Sequence, residues 1–290
     1  MADFEVVEVN TDLLIIGGGM AACGAAVEAK YWAGDDIKVT LVDKAALERS
    51  GAVAQGLSAI NTYIGMSGRA APAVGEESGQ HTPEKFVHYV RQDLMGIVRE
   101  DLVYDVARHV DSSVHLFEKW GLPIWKTEDG KYVREGTWQI MINGESYKCI
   151  VAEAAKNALG EENIIERVFV VKLLLDEKVP NRIAGAVGFS VRENKFYYFK
   201  AKAIICVCGG AVHIFRPRST GEGYGRAWYP PWNAGSTYSM MLEVGAPMVN
   251  MECRFVPARY KDGYGPVGAW FLLFKAYATN AFDENYVQTR

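Results

Sequence analysis

Three adjacent glycines, Gly17-Gly18-Gly19, follow the apolar run Leu13-Leu14-Ile15-Ile16, and an acid, Asp43, ends a second run, Val39-Thr40-Leu41-Val42. Residues of these types at this spacing can hold a phosphate. Gly17 allows a tight turn, Gly19 lets the backbone approach a pyrophosphate, and Ala22 lets a following helix pack close to the strand. Phosphate oxygens would then face unpaired N–H groups at the helix start, where Met20 and Ala21 stand. A carboxylate about 20 to 25 residues further on suits the two hydroxyls of a ribose, and Asp43 occupies that place, followed by Lys44.

Holding these groups in place takes a buried strand, a crossover helix over Met20 to Tyr31 and a second buried strand, which together make a βαβ unit for a dinucleotide. Further along, Thr82-Pro83-Glu84 reads as a helix start, with Phe86, Val87, Val90, Leu94 and Ile97 following at helical spacing. A second helix is predicted from Arg99 to Trp120, stopped by Gly121, and a third from Tyr147 to Leu159, closed by Gly160. His81, His88, His109 and His115 fall in or beside the first two, where no acid or nucleophile converges on them, and they read as surface or packing residues. Four extended segments come next: Ile164–Leu175, Ile183–Val191, Phe196–Lys200 and Ala203–Cys208, the last running into Gly209-Gly210. Cys206 and Cys208 lie in this apolar run and read as small buried hydrophobes rather than metal ligands.

The kind of dinucleotide is set by Glu48 to Asn61, a run of small residues placed directly after the ribose-binding acid. Backbone N–H groups of such a run can lie along a flat ring system, and Val53, Leu57 and Ile60 are too apolar for a free surface loop. This stretch resembles the fumarate reductase and succinate dehydrogenase flavoprotein family, whose corresponding segment lies along the isoalloxazine. Members with covalent FAD carry a histidine after the Arg-Ser pair. Gly51 stands there, so the resemblance implies FAD held without a covalent bond. It also implies cofactor contacts from Gly17, Gly19, Met20, Ala21, Ala22, Asp43, Lys44, Ser50, Gly51, Ala54, Gln55, Gly56, Ser58, Val170, Cys208, Gly209 and Gly210.

Composition bounds the alternatives. The chain has 290 residues, 49% hydrophobic and 23% charged, enough to bury a sizeable core. A net charge of -4 leaves no basic footprint for nucleic acid. No apolar run reaches the roughly 18 to 20 residues of a membrane span, and the start Met1-Ala2-Asp3-Phe4-Glu5 is acidic, so a cytoplasmic protein is expected. Five scattered cysteines, Cys23, Cys149, Cys206, Cys208 and Cys253, suggest no disulfide framework.

The expected fold class is α/β: a Rossmann-like FAD-binding domain of the two-dinucleotide-fold type over residues 1–252, with a β-meander insertion. The start of an α+β capping domain is expected over 253–290. Longer stretches sharpen the resemblance: Ser50–Tyr63, His115–Trp125, Trp138–Lys148, Phe215–Gly223, Arg226–Tyr229 and Arg259–Phe271. They are similar to the branch of the family that converts adenosine 5′-phosphosulfate to sulfite and AMP through a bond between flavin N5 and sulfur. The resemblance implies that Arg259 clamps the anionic substrate, Trp228 stacks beside the flavin and Asn61 donates to sulfate oxygens. It further implies that Glu135 orients the substrate and Leu272 packs against it. Each has a plainer alternative, a core for Trp228 and Leu272, an ion pair with Asp262 for Arg259 and a solvated loop for Glu135, and read alone all but Arg259 favour it. Implied partners are a beta subunit with two iron–sulfur clusters and a membrane electron-donor complex on which the enzyme docks. The family continues beyond Arg290, so a partial sequence is expected, with a catalytic histidine in the part that follows. Two other readings stay open: a dicarboxylate oxidoreductase of the fumarate reductase or aspartate oxidase type, and a flavin subunit that only transfers electrons. Val256 stands where the dicarboxylate enzymes usually carry a histidine, which counts against the first.

Overall fold

A computed structural model describes residues 4–55, 57–63, 82–135, 138–211, 232–252 and 276–285. The strand carrying the glycines is longer than its apolar end suggests. β1 spans Glu5–Ile16, and only Leu13 to Ile16 pair with β2 (Val39–Val42). The earlier half, rich in alternating valine and polar residues, pairs in parallel with β9 (Lys195–Cys206). The segments expected separately at Phe196–Lys200 and Ala203–Cys208 are therefore one strand. Ala201 is buried and Lys202 reaches out to Asp12 at 2.6 Å, so the pleat runs on through the polar break.

The reverse correction applies at Ile164–Leu175, expected as one strand. Arg167 takes φ 62, outside the pleated range, and divides the segment. β6 (Ile164–Ile165) extends the parallel sheet beside β2, while β7 (Val168–Leu175) opens an antiparallel meander with β8 (Ile183–Ser190) and β9. The sheet order is β6-β2-β1-β9-β8-β7, so β9 is shared by the parallel half and the meander. This is the expected α/β architecture with its meander insertion.

One face of the sheet is covered by α1 (Met20–Ala33) and α4 (Tyr147–Leu159). Ala22, Cys23 and Ala26 are the fully buried residues of α1, and their small size lets α4 come close. The other face packs Leu14, Ile16 and Val42 with the meander and with Met240 of α5 (Ser236–Glu243). Beside this core, β3 (Ala59–Asn61), β4 (Arg134–Glu135) and β5 (Gln139–Met141) form a small antiparallel sheet in the order β3-β5-β4. It is backed by α2 (Pro83–Asp93) and α3 (Glu100–Lys119).

α2 starts as the sequence predicts, with the Thr82 hydroxyl accepting from the Lys85 N–H at 3.4 Å. It stops short of Leu94 and Ile97 because Met95 (φ 52) and Gly96 (φ 83) turn left-handed. Thr82→Ala is expected to cost about 1 kcal/mol through loss of this cap, read as a lower urea midpoint. His88, His109 and His115 are exposed on α2 and α3, while His81 lies outside the described residues. Of the expected capping segment, only 276–285 is described, with one bridge between Thr279 and Asn285. Among the described residues no helix is long and apolar enough to cross a membrane.

Candidate functional site

The nucleotide grip lies where β1 and β2 end, and its three glycines do different things. Gly17 sits at φ 125, and a Cβ there would lie 2.5 Å from the Val207 carbonyl oxygen. A Cβ on Gly18 would lie 2.6 Å from the Asp43 carboxylate, while one on Gly19 would meet only the Gly51 Cα at 3.7 Å. Gly17 thus admits the end of β9, Gly18 admits the acid, and Gly19 leaves the approach open. Gly18 escaped the sequence reading, which needed only two of the three.

α1 begins at Gly19 without a side-chain cap and without an acidic residue in its first turn. No side chain of the helix competes for its first N–H groups, and its positive end suits a phosphate. Asp43 is buried beside this turn and accepts from the Ala45 N–H at 3.1 Å. Lys44 turns the other way, with its ammonium 5.0 Å from the Phe169 ring centroid and bonded to the Trp232 carbonyl. Burial pushes its pKa down. Met20 and Ala21 start the helix, and Ala22 is fully buried under it. Across the turn, the rim is closed by Cys208, Gly209 (φ 77) and Gly210.

The segment following Asp43 is pinned at three points. Gly51, at φ 88, lies so close to Gly19 that its Cβ would stand 2.8 Å from the Gly19 Cα. A Cβ on Gly144 would lie 2.0 Å from the Leu57 carbonyl oxygen, so this glycine admits the far end of the segment. The turn Leu47–Arg49 is tied down by α4 and by the residue after β6. Lys148, only 1% exposed, donates to the Leu47 carbonyl; Glu166 accepts from the Leu47 N–H at 2.6 Å; Lys156 pairs with Glu48. Between these ties run Ser50, Ala54 and Ser58, all half-buried, and Gln55; Gly56 lies outside the described residues. The Val170 side chain packs into the core with Val168 and Leu173, so any part it plays in a ligand site falls to its backbone.

A second group of polar residues is assembled by the small sheet. Asn61 of β3 and Glu135 of β4 both stand opposite Gln139 of β5. Directly opposed residues of an antiparallel pair point to one face, so the three side chains form a row. Sequence reasoning chose Asn61 and Glu135 but missed Gln139. It also missed Tyr89, whose phenol lies close enough to Asn61 and Asp93 to feel both. Burial, then Asp93, raises the Tyr89 pKa. The Tyr89 ring stacks on Trp138 with centroids 5.3 Å apart. This row offers amide donors, a carboxylate and a phenol in one place. Arg259, Trp228 and Leu272 lie outside the described residues.

A family model described as FAD binding domain matches residues 12–259. The alpha subunit of adenylylsulfate reductase from Megalodesulfovibrio gigas is 61% identical over 100% of this chain and 45% of its own length. The chain thus spans less than half the length of that relative. Two solved structures cover 99% of this chain and 44% of their own, at 64% identity and a TM-score of 0.88. One is adenylylsulfate reductase from the hyperthermophilic Archaeoglobus fulgidus, and the other is adenosine-5-phosphosulfate reductase in complex with sulfite as a covalent adduct. More distantly, the fumarate reductase flavoprotein subunit of Escherichia coli is 24% identical over 84% of this chain and 37% of its own length.

Proposed function

The chain belongs to the FAD binding domain family, and from that premise we propose that it is the flavin-holding part of an enzyme interconverting adenosine 5′-phosphosulfate with sulfite and AMP. The observation that carries this reading is the 61% identity along the whole chain to an adenylylsulfate reductase subunit, against 24% to a fumarate reductase subunit. The grip fits FAD: an uncapped helix start, an open approach at Gly19 and a buried acid at the second strand end. Bound there, FAD would supply a group that takes electrons singly and delivers them as a pair.

The chain's own residues suit the substrate. Adenosine 5′-phosphosulfate is a mixed anhydride with several negative charges, so it calls for fixed donors and at least one guanidinium able to bond two oxygens. Asn61 and Gln139 are donors held in register by the small sheet, and Arg259 is the guanidinium in this reading. Glu135 orients the substrate from the same row, with Trp228 stacking and Leu272 packing around it. The FAD is held without a covalent bond, since Gly51 abuts Gly19 too closely for a histidine. Electrons come from a partner subunit bearing iron–sulfur clusters, and the enzyme works in the cytoplasm.

The test is a titration of the full-length flavin-loaded protein with sulfite, with and without AMP, followed in the visible flavin band. Bleaching by sulfite, followed on addition of AMP by passage of two electrons to an added one-electron acceptor such as ferricyanide and return of the oxidised flavin band, supports the reading. No bleaching, together with turnover of fumarate or succinate, overturns it in favour of a dicarboxylate enzyme. In the active holoenzyme, Asn61→Ala is expected to lower kcat/KM by roughly 10- to 100-fold, the worth of one hydrogen bond to a charged oxygen, in steady-state assays.

A further inference from the structure

Two thiols stand at the rim of the grip. Cys206 ends β9, Cys208 follows two residues on, and their sulfurs are 3.7 Å apart. The sequence reading made them buried hydrophobes, yet both remain partly exposed. Cys208 Sγ also donates to the carbonyl of Ile16, the residue before Gly17, at 3.4 Å. Between the two cysteines, the Val207 carbonyl is the group that leaves no space for a Cβ on Gly17. The thiol pair and the phosphate turn are therefore packed directly together.

We propose that Cys206 and Cys208 form a redox-active dithiol that exchanges with small external disulfides, and that its oxidation loosens the nucleotide grip. The second half of this rests on the FAD reading of that grip. Two extended residues span about 6.4 to 6.8 Å between Cα atoms, the upper end of the range a disulfide tolerates. Closing the sulfurs from 3.7 Å to a bond of about 2.05 Å draws the two residues together and shifts the Val207 carbonyl against Gly17.

The chemistry balances within the pair. A hydrogen bond from the Cys206 thiol lowers the Cys208 pKa, and the Lys44 ammonium nearby acts in the same direction, so Cys208 is the attacking thiolate. It bonds to one sulfur of the external disulfide and expels the first thiolate. Cys206 then attacks the Cys208 sulfur and expels the second. The two thiol protons leave with the expelled thiolates, and two electrons pass from the dithiol to the external disulfide.

The experiment equilibrates the full-length flavin-loaded protein with mixtures of oxidised and reduced dithiothreitol, quenches with N-ethylmaleimide and maps the peptide carrying both cysteines by mass. The expected result is a peptide lighter by two hydrogens, free of maleimide, with FAD affinity falling about tenfold over the same mixtures. Cys206→Ser should abolish both changes and leave FAD affinity of the reduced protein as it was. Maleimide on both cysteines at every mixture overturns the proposal. A disulfide that leaves FAD affinity unchanged overturns the coupling. If neither redox form binds FAD, the FAD reading fails, while the mass spectrum still decides the thiols.

Discussion

Replacing Gly17 with alanine is expected to strip the protein of FAD. At φ 125 an L-residue is strained by about 1 to 3 kcal/mol, and the new Cβ would lie 2.5 Å from the Val207 carbonyl oxygen, which belongs to backbone and cannot rotate away. Relief requires β1 and β9 to part at their ends, where Asp43 and the helix start must stay in register. A combined penalty of at least about 3 kcal/mol corresponds to a loss of affinity above roughly 100-fold. Gly19→Ala supplies the contrast, because its Cβ would meet only the Gly51 Cα at 3.7 Å. It should leave the melting temperature of the flavin-free protein unchanged and weaken FAD alone. Flavin fluorescence titrations of both variants decide the matter; a Gly17→Ala protein with FAD affinity within threefold of the parent would refute the account.

Tyr147→Ala is expected to destabilise the fold by about 3 to 5 kcal/mol, the cost of emptying a large aromatic site. Tyr147 is 1% exposed, its ring meets Phe117 edge-on at 5.2 Å, and its hydroxyl reaches Met20 Sδ at 2.8 Å. It therefore ties α4 to the first turn of α1 as well as filling the core. Tyr147→Phe keeps the ring and should cost only about 0.5 to 1.5 kcal/mol. Burial drives the phenol pKa well above its usual range, so neither difference should vary between neutral and mildly alkaline pH. Urea unfolding at two pH values checks both statements; equal costs for the two variants would show that the ring contributes nothing.

The parts of this molecule legible from sequence are those with a local signature. The β1–α1–β2 unit announces itself through two apolar runs, adjacent glycines and a terminal acid within about thirty residues. α4 is bounded by Gly160, and α2 by Thr82 and Pro83. The continuity of β9 was hidden, because Lys200 and Lys202 interrupt its apolar pattern and their partners Glu8 and Asp12 lie on a strand far away in sequence. The row of Asn61, Gln139 and Glu135 has no local mark at all. Its register is set by pairing among strands of two and three residues, which neither pattern nor propensity determines. Tyr89 was masked by the neighbouring apolar spacing of α2, and Gly18 by a motif that two glycines already satisfy.

The pairing of β1 with β9 also sets a timetable. Glu5 meets Lys195 and Ile16 meets Cys206, so the central strand waits for a partner 190 residues downstream. At a synthesis rate of about 5 to 20 residues per second, that wait lasts roughly 10 to 40 s. Throughout it the first half of β1 is an open edge in the nascent chain, since β2 pairs only with Leu13 to Ile16. Glu5, Glu8 and Asp12 punctuate that half with acidic side chains, which discourage stray strands until Lys195, Lys200 and Lys202 arrive to neutralise them. The same carboxylates that select the right neighbour in the finished sheet thus guard the unfinished one on the ribosome.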